Sequence, residues 1–324
     1  MRAVRIHELV GPAGLRVDDN VPEPVVSAGH VVIEVKAAGV NFPDILITQG
    51  KYQFKPTPPF TPGGEVAGIV RAVGSNVTNV AVGDRVASTM LYGAFAEQVL
   101  VPAVACVKLP DAVSFEIGAA TLLTYLTTYY ALRDRAAMQP KETLLVLGAA
   151  GGVGIAAVEL GALMGARVIA AASSDDKLAF CKAHGATETI NYAREDLKER
   201  LKSLGGADVV YDPVGGDLSE TALRGIKWEG RYLVVGFASG EIPKIPLNLT
   251  LLKGCQIVGV FWGQFAMREP VKNMQHAEQL FAWIGDGKLR PAIDTVMPFD
   301  QASEALAKLM RREVKGKLVL VPSL

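Results

Sequence analysis

The chain has 324 residues, half of them hydrophobic, more than one ordinary core accommodates, which points to two domains. Its 33 basic and 33 acidic residues cancel, so nothing in its charge recruits nucleic acid or an anionic membrane. Cys106, Cys181 and Cys255 are too scattered for a disulfide framework or a structural zinc lobe, and a reducing cytoplasm is the expected setting.

Met1 to Val10 alternates charged and apolar residues and lacks the apolar centre of a secretory leader. Val31 to Val35, Val66 to Val73 and Arg85 to Ala87 read as short strands, divided by Gly, Asn, Ser and Asp turns. Such spacing predicts a partly open barrel or sandwich. Lys55 to Gly64 carries Pro56, Pro58, Pro59 and Pro62, and proline cannot donate to a strand ladder, so a loop is expected.

After Asp111 the pattern changes. Phe115 to Leu132 reads as a helix. Strands are then expected at Leu144 to Leu147, Val168 to Ala172, Thr187 to Ile190, Val209 to Tyr211 and Tyr232 to Val235. Helices are expected at Val153 to Met164 and Lys177 to His184. This alternation predicts a parallel sheet covered by helices on both faces. The chain closes with a helix, Ala302 to Met310, and a strand, Lys317 to Val321. The longest apolar stretch, Thr143 to Val158, is shorter than the roughly 20 residues of a membrane span and is broken by Gly148, Gly151, Gly152 and Gly154.

That stretch holds the chain's strongest motif, Gly148-Ala149-Ala150-Gly151-Gly152-Val153-Gly154, following a strand and opening a helix. In a dinucleotide fingerprint, Ala149 takes the first glycine position, Gly151 lets main chain approach a diphosphate, and Gly154 permits close helix–strand packing. The helix N-terminus adds free N–H groups and a positive dipole end. The cofactor-binding residues expected here are Ala150, Gly151, Gly152, Val153 and Gly154.

An NAD site usually has an acidic residue about 20 positions further on. The residue 19 beyond Gly154 is Ser173, and the segment continues Ser174-Asp175-Asp176-Lys177. No carboxylate at Ser173 and a lysine nearby favour NADPH. Ser174 is also suited to capping a helix with Asp175 and Asp176 in its first turn. An aspartate binding ribose, and hence NADH, stays open.

With these motifs the chain resembles the zinc-independent quinone oxidoreductase, zeta-crystallin-like branch of the medium-chain dehydrogenase/reductase superfamily. The resemblance runs through Ala37 to Asp44, Gly63 to Val70, Val82 to Val86, the glycine turn, Ile190 to Tyr192, Asp212 to Gly216 and Gly316 to Leu320. It implies an α/β protein with a GroES-like β-rich domain, residues 1–120 and 290–324, and a doubly wound Rossmann domain, residues 121–289. It also implies a homodimer built on an edge strand, Gln256 to Trp262, for which a buried strand is the competing reading. By resemblance, Asn41, Asp44 and Tyr52 line the cleft near the nicotinamide. Thr127 contacts the cofactor, Lys177 and Tyr192 match the 2′-phosphate site, and Ser173 and Ser174 sit beside it. Phe237 and a strand Phe261-Trp262-Gly263 border the nicotinamide, and Lys317 matches a basic residue near the cofactor. Leu46 departs from the tyrosine of some quinone reductases.

Zinc-using relatives carry a Cys near Gly39 and a His before the glutamate of G-H-E. This chain has Val40-Asn41 and Gly64-Glu65, and His7, His30, His184 and His276 have no Cys or His at ligand spacing. No metal is expected. The resemblance implies hydride transfer from NADPH to a quinone or related α,β-unsaturated carbonyl, with Asn41 or Tyr52 donating to the developing oxyanion. Two alternatives stand beside it: an enoyl or acryloyl thioester reductase, and a non-catalytic NADPH-binding protein.

Overall fold

A computed structural model describes residues 1–323. The chain divides into two compact units, Met1–Leu123 with Pro270–Leu324, and Thr124–Glu269. In chain order the first unit contains β1 (Ala3–Ile6), β2 (Leu15–Asp18), β3 (His30–Val40), α1 (Phe42–Thr48), β4 (Glu65–Val73), β5 (Arg85–Thr89), β6 (Gln98–Pro102), β7 (Cys106–Lys108) and α2 (Phe115–Ala119). Helix α3 (Leu122–Tyr129) follows and widens into a π-helical turn, Tyr130–Arg135. Next come β8 (Thr143–Leu147), α4 (Gly152–Leu163), β9 (Arg167–Ala172), α5 (Asp175–Ala183), β10 (Glu188–Asn191), α6 (Leu197–Ser203), β11 (Ala207–Asp212) and α7 (Asp217–Arg224). The second unit ends with β12 (Ile226–Val234), α8 (Asn248–Lys253), β13 (Gln256–Gly259) and α9 (Trp262–Arg268). The chain then returns to the first unit with α10 (Pro270–Gly285), β14 (Ile293–Pro298), α11 (Ala302–Met310) and β15 (Lys317–Val321).

The first unit is organised around β3. One edge of β3 pairs antiparallel with β4, and the other takes β6 over His30–Glu34 and then β15 over Ala38–Val40. A central strand covered in this way is almost wholly apolar, and Val31, Val32, Ile33 and Val35 are all buried. The core is built from Val31, Ile33 and Val35 with Val66, Val70, Val86, Phe95, Val101, Leu318 and Leu320. The expected strand at Val31 to Val35 is therefore only half of β3.

In the second unit six parallel strands run in the order β10-β9-β8-β11-β12-β13. Buried on both faces, β8 and β9 read as apolar runs after their first residue, Leu144 to Leu147 and Val168 to Ala172. Helix α4 is apolar apart from Glu159, which bonds Tyr125 and His184, and Gly154 through Gly161 are buried. Gly161 lies where a Cβ would meet Leu144 Cδ2 at 2.6 Å, so its small size lets the helix approach the sheet.

Several expected elements differ from those observed. Phe115 to Leu132 is not one helix: α2 ends at Ala119, α3 runs over Leu122–Tyr129 and the π-helical turn takes over from Tyr130. The segment Gln256 to Trp262 is strand only to Gly259, and Phe261-Trp262-Gly263 is not a strand: Phe261 precedes α9 and Trp262 and Gly263 are its first turn. Helix α10 was not anticipated. Its buried face, His276, Ala277, Leu280 and Phe281, is narrow and set among polar residues.

Close backbone approach makes one glycine in β4 irreplaceable. A Cβ on Gly68 would lie 2.0 Å from the Glu34 carbonyl oxygen of β3. Gly68→Ala is expected to destabilise the protein by roughly 3 kcal/mol through overpacking, read as a lower denaturation midpoint at unchanged slope.

Candidate functional site

In an open parallel sheet, ligands sit beyond the carboxyl ends of the strands where the strand order reverses. Here β8 leads to β9 on one side, while β11 lies on its other side, so the reversal falls between β8 and β11. The β8–α4 turn holds the expected Ala150, Gly151, Gly152, Val153 and Gly154 at this place. Gly148 has φ +57°, which a side chain adopts poorly. At Gly154 a Cβ would stand 2.3 Å from Gly148 O, so the glycine closes the turn against its own helix. At Gly151 a Cβ would meet only Gly148 O, at 3.5 Å, so the main chain there is open to an approaching group. The first N–H groups of the twelve-residue α4 have no intrahelical acceptors. The residues present therefore fit a dinucleotide diphosphate.

The facing turn follows β11 and is held by a carboxylate absent from the expected site. Asp212 is buried and accepts from Val214 N at 2.8 Å, Gly215 N at 2.9 Å and Ser219 Oγ at 2.6 Å, and also from the Tyr232 hydroxyl. Burial, and then the nearby Asp212, keep Tyr232 protonated far above the usual phenol range. The glycine turn and this turn touch: a Cβ on Gly148 would lie 2.7 Å from Val214 Cγ2. Phe237 belongs to the same cluster, since a Cβ on Gly215 would lie 2.9 Å from Phe237 Cδ1. The signal for Asp212 was present in the sequence as an acid at a strand end followed by two glycines.

The remaining residues expected at a coenzyme fall at three places. Thr127 is half-buried on α3, next to Thr128, whose Oγ1 shares a 2.9 Å hydrogen bond with the Tyr211 hydroxyl. Ser173, Ser174 and Lys177 stand at the start of α5, and Tyr192 directly follows β10, the strand paired with β9. Ser174 is at the N-cap position but does not cap: its Oγ donates to Asp176 Oδ1. Phe261 is exposed at the α9 start with Trp262 and Gly263.

In the first unit the expected residues gather round a buried ion pair. Lys317 Nζ donates to Glu65 Oε2 at 3.1 Å, with side-chain exposures of 3% and 0%. It also donates to Val40 O at 3.1 Å and to Asn41 Oδ1, so all three ammonium hydrogens have partners inside this unit. Asn41 Nδ2 donates to Gly39 O at 3.2 Å and Glu65 Oε2 at 3.1 Å, which uses both amide hydrogens. Glu65 Oε1 accepts from Leu123 N at 2.9 Å. Asn41 thus holds the β3–α1 turn instead of offering a donor. Lys317 neutralises Glu65. Glu65, missing from the expected site, joins the cluster as an acid inside an apolar run.

Asp44 is buried on α1 and accepts from Asn41 N at 2.8 Å, the acid half of a capping box. Burial pushes its carboxyl up to about 7, with Glu65 adding to the rise and the Asn41 N–H and Lys317 opposing it. Tyr52 is half-buried with Ile6, Ile47 and Phe60, and burial followed by the charge of Asp44 raises its hydroxyl above the usual value. Among the described residues, no three His, Cys, Asp or Glu converge as metal ligands, and no helix is long and apolar enough to cross a membrane.

Residues 27–111 match the alcohol dehydrogenase GroES-like domain, and residues 152–283 match the zinc-binding dehydrogenase family. A quinone oxidoreductase-like protein 2 homolog of Nematostella vectensis is 40% identical over 325 residues, covering 98% of this chain and 88% of that one. Human quinone oxidoreductase is 32% identical over 326 residues, covering 99% and 98%. This chain belongs to the zinc-independent quinone oxidoreductase branch of the medium-chain dehydrogenase/reductase superfamily. The crystal structure of Escherichia coli quinone oxidoreductase complexed with NADPH matches this medium-chain oxidoreductase with a TM-score of 0.92 at 31% identity, covering 99% of this chain and 100% of that one. The β-rich first unit is accordingly the GroES-like domain and the parallel sheet the Rossmann-type domain.

Two predictions follow from the charges of the GroES-like unit. Between its unfolded value of 3.8 and its folded value of about 7, Asp44 is protonated when folded and ionised when unfolded. The folded state then binds more protons, so this stabilisation is full below pH 3.8 and is lost as pH rises to about 7. Unfolding titrations across that window should show the fall, and Asp44→Asn should flatten it. Lys317→Met, which leaves Glu65 buried without its partner, is expected to cost about 3–5 kcal/mol. Lys317→Met with Glu65→Gln should recover part of the loss in the same unfolding measurement.

Proposed function

We propose that this protein is an NADPH-dependent quinone oxidoreductase acting on a quinone or related α,β-unsaturated carbonyl. The reading is carried by the open main chain at Gly151, set just before the N-terminus of α4 where the strand order reverses. The NADPH complex of the E. coli relative supports the choice of coenzyme. Bound there, NADPH supplies a hydride from C4 of its nicotinamide, and the protein contributes position and exclusion of water.

On the coenzyme side, Ala150 through Gly154 would line the diphosphate, with the first N–H groups of α4 as donors, while the Gly151 N–H is used on Gly148 O. Asp212 fixes the Val214–Gly216 turn that faces them, and Phe237 lies against it. Thr127, Phe261, Trp262 and Gly263 are assigned to the nicotinamide half. Ser173, Ser174, Lys177 and Tyr192 are assigned to the adenosine half, where Lys177 answers the negative charge of a 2′-phosphate.

On the acceptor side, a quinone needs no metal to polarise it, because its conjugated carbonyls already spread the added charge. Asn41 and Lys317 hold the turn, while Tyr52 supplies the hydrogen bond. The Tyr52 hydroxyl stays protonated, so it is a donor to a developing oxyanion at neutral pH. Asp44 keeps the β3–α1 corner in place. Leu46, where some relatives have tyrosine, leaves that wall apolar. A homodimer is supported by β13, an edge strand with Ile257 exposed, next to the exposed Trp228, Leu251 and Leu252.

NADPH oxidation is the direct test, with 1,4-benzoquinone, 9,10-phenanthrenequinone and trans-2-alkenals as acceptors. Turnover is expected with the quinones, and Tyr52→Phe should lower kcat by about 100-fold while leaving the NADPH Kd unchanged. No turnover with any acceptor defeats the substrate class.

A further inference from the structure

The carboxyl ends of β9 and β10 lie side by side, with Asn191 opposite Ala172. The segment after β10 is shaped by Asn191, which is buried. Its backbone N–H donates to Glu195 Oε1 at 2.8 Å, and its Oδ1 accepts from Ala193 N at 3.1 Å. Its carbonyl accepts from Arg194 N at 3.0 Å and Glu195 N at 2.8 Å. This tight turn sets Arg194 against the start of α5. There Asp175 is gripped from both sides: Asn191 Nδ2 donates to Oδ1 at 2.6 Å and Arg194 Nη1 to Oδ2 at 2.6 Å.

Asp175 is the first acid after the end of β9, in the region where an NAD site places the carboxylate that holds a ribose hydroxyl. Both of its oxygens already have partners, one of them cationic. Asp176, the next acid, accepts from the Ser174 hydroxyl. The Arg194–Asp175 pair is exposed, with side-chain exposures of 72% and 63%, so it contributes little to stability. Its single contact uses one arm of the guanidinium, and among the described residues Arg194 makes no other side-chain hydrogen bond. A guanidinium is a planar fork suited to bidentate phosphate binding, and the rest of this fork is accessible.

We propose that Arg194 selects the coenzyme: it cancels Asp175, the acid that would hold an unphosphorylated ribose, and supplies a second cation, beside Lys177, for a 2′-phosphate. This rests on the NADPH reading above and extends it to a residue outside the glycine turn. On α5 Asp175 and Asp176 stand beside Lys177, while the α6 cations Lys198 and Arg200 are paired with Glu199 and Glu195. Without Arg194 the acids next to the phosphate outweigh Lys177. With it, Asp175 is offset and the phosphate gains a directed partner.

The test is calorimetric binding of NADPH, NADH, adenosine 2′,5′-bisphosphate and adenosine 5′-monophosphate to the full chain. Arg194→Ala should weaken NADPH and the bisphosphate by roughly tenfold or more. The same variant should leave NADH and the monophosphate unchanged or tighter, because Asp175 is released. Asp175→Asn, which frees Arg194, should keep or strengthen the preference for the phosphorylated ligands. A wild-type preference that survives Arg194→Ala, or an equal loss for all four ligands, overturns the role of Arg194 and leaves the NADPH reading standing. Wild-type protein that binds NADPH no more tightly than NADH overturns the NADPH reading itself.

Discussion

The buried contact between Lys317 and Glu65 is the constraint on which the GroES-like unit depends. A charge taken out of water is costly unless its partner and its remaining hydrogen bonds are all provided, and here they are. Lys317 comes from the last strand, Glu65 from the start of β4, and Asn41 from the turn that ends β3. Three distant parts of the chain are thereby required to meet at one point. Because every donor of Lys317 and of the Asn41 amide is used, the cluster has one arrangement, and the corner bearing Asp44 inherits it. Tyr52 is then the polar group of this region with a hydroxyl suited to an outside partner.

The Rossmann-type unit meets its requirement differently. Its turns carry almost no side chains, and main-chain groups present the binding surface. Their shape is imposed from behind: Gly154 closes the first turn by lying against Gly148, and Asp212 ties the second through two backbone N–H groups, a serine and a tyrosine. A carboxylate with four donors in a buried setting has little freedom. The rigidity of a surface made from glycines thus comes from a buried acid and from small residues packed behind it.

Much of this was legible in the sequence, for identifiable reasons. The helices and strands of the parallel sheet follow from long apolar runs broken by glycine, and α11 and β15 follow from clean periodicity. The glycine turn was readable because strand, turn and helix are contiguous. The errors arose where neighbours far away in the chain decide. Phe261 and Trp262 are bulky and apolar like a strand, yet the edge strand ends at Gly259 and the chain turns into α9. The pairing of Lys317 is not legible either, because nothing local reveals that Glu65 lies 252 positions earlier. The partners of the Asn41 amide are hidden for the same reason. Arg194 carried no motif at all, and only the pairing of β10 with β9 brings it to Asp175.

The return of β15 to β3 has a consequence for synthesis. The entire Rossmann-type unit is enclosed between the two parts of the GroES-like unit, so it can finish folding on the ribosome while its host is still incomplete. Until Leu318 to Leu320 emerge, the Ala38–Val40 edge of β3 has no partner, and Glu65 waits in an apolar setting for its cation. Nascent chains therefore pass through an interval with one finished domain and one unsealed strand edge, the kind of surface that chaperones engage and that pairs wrongly with other chains.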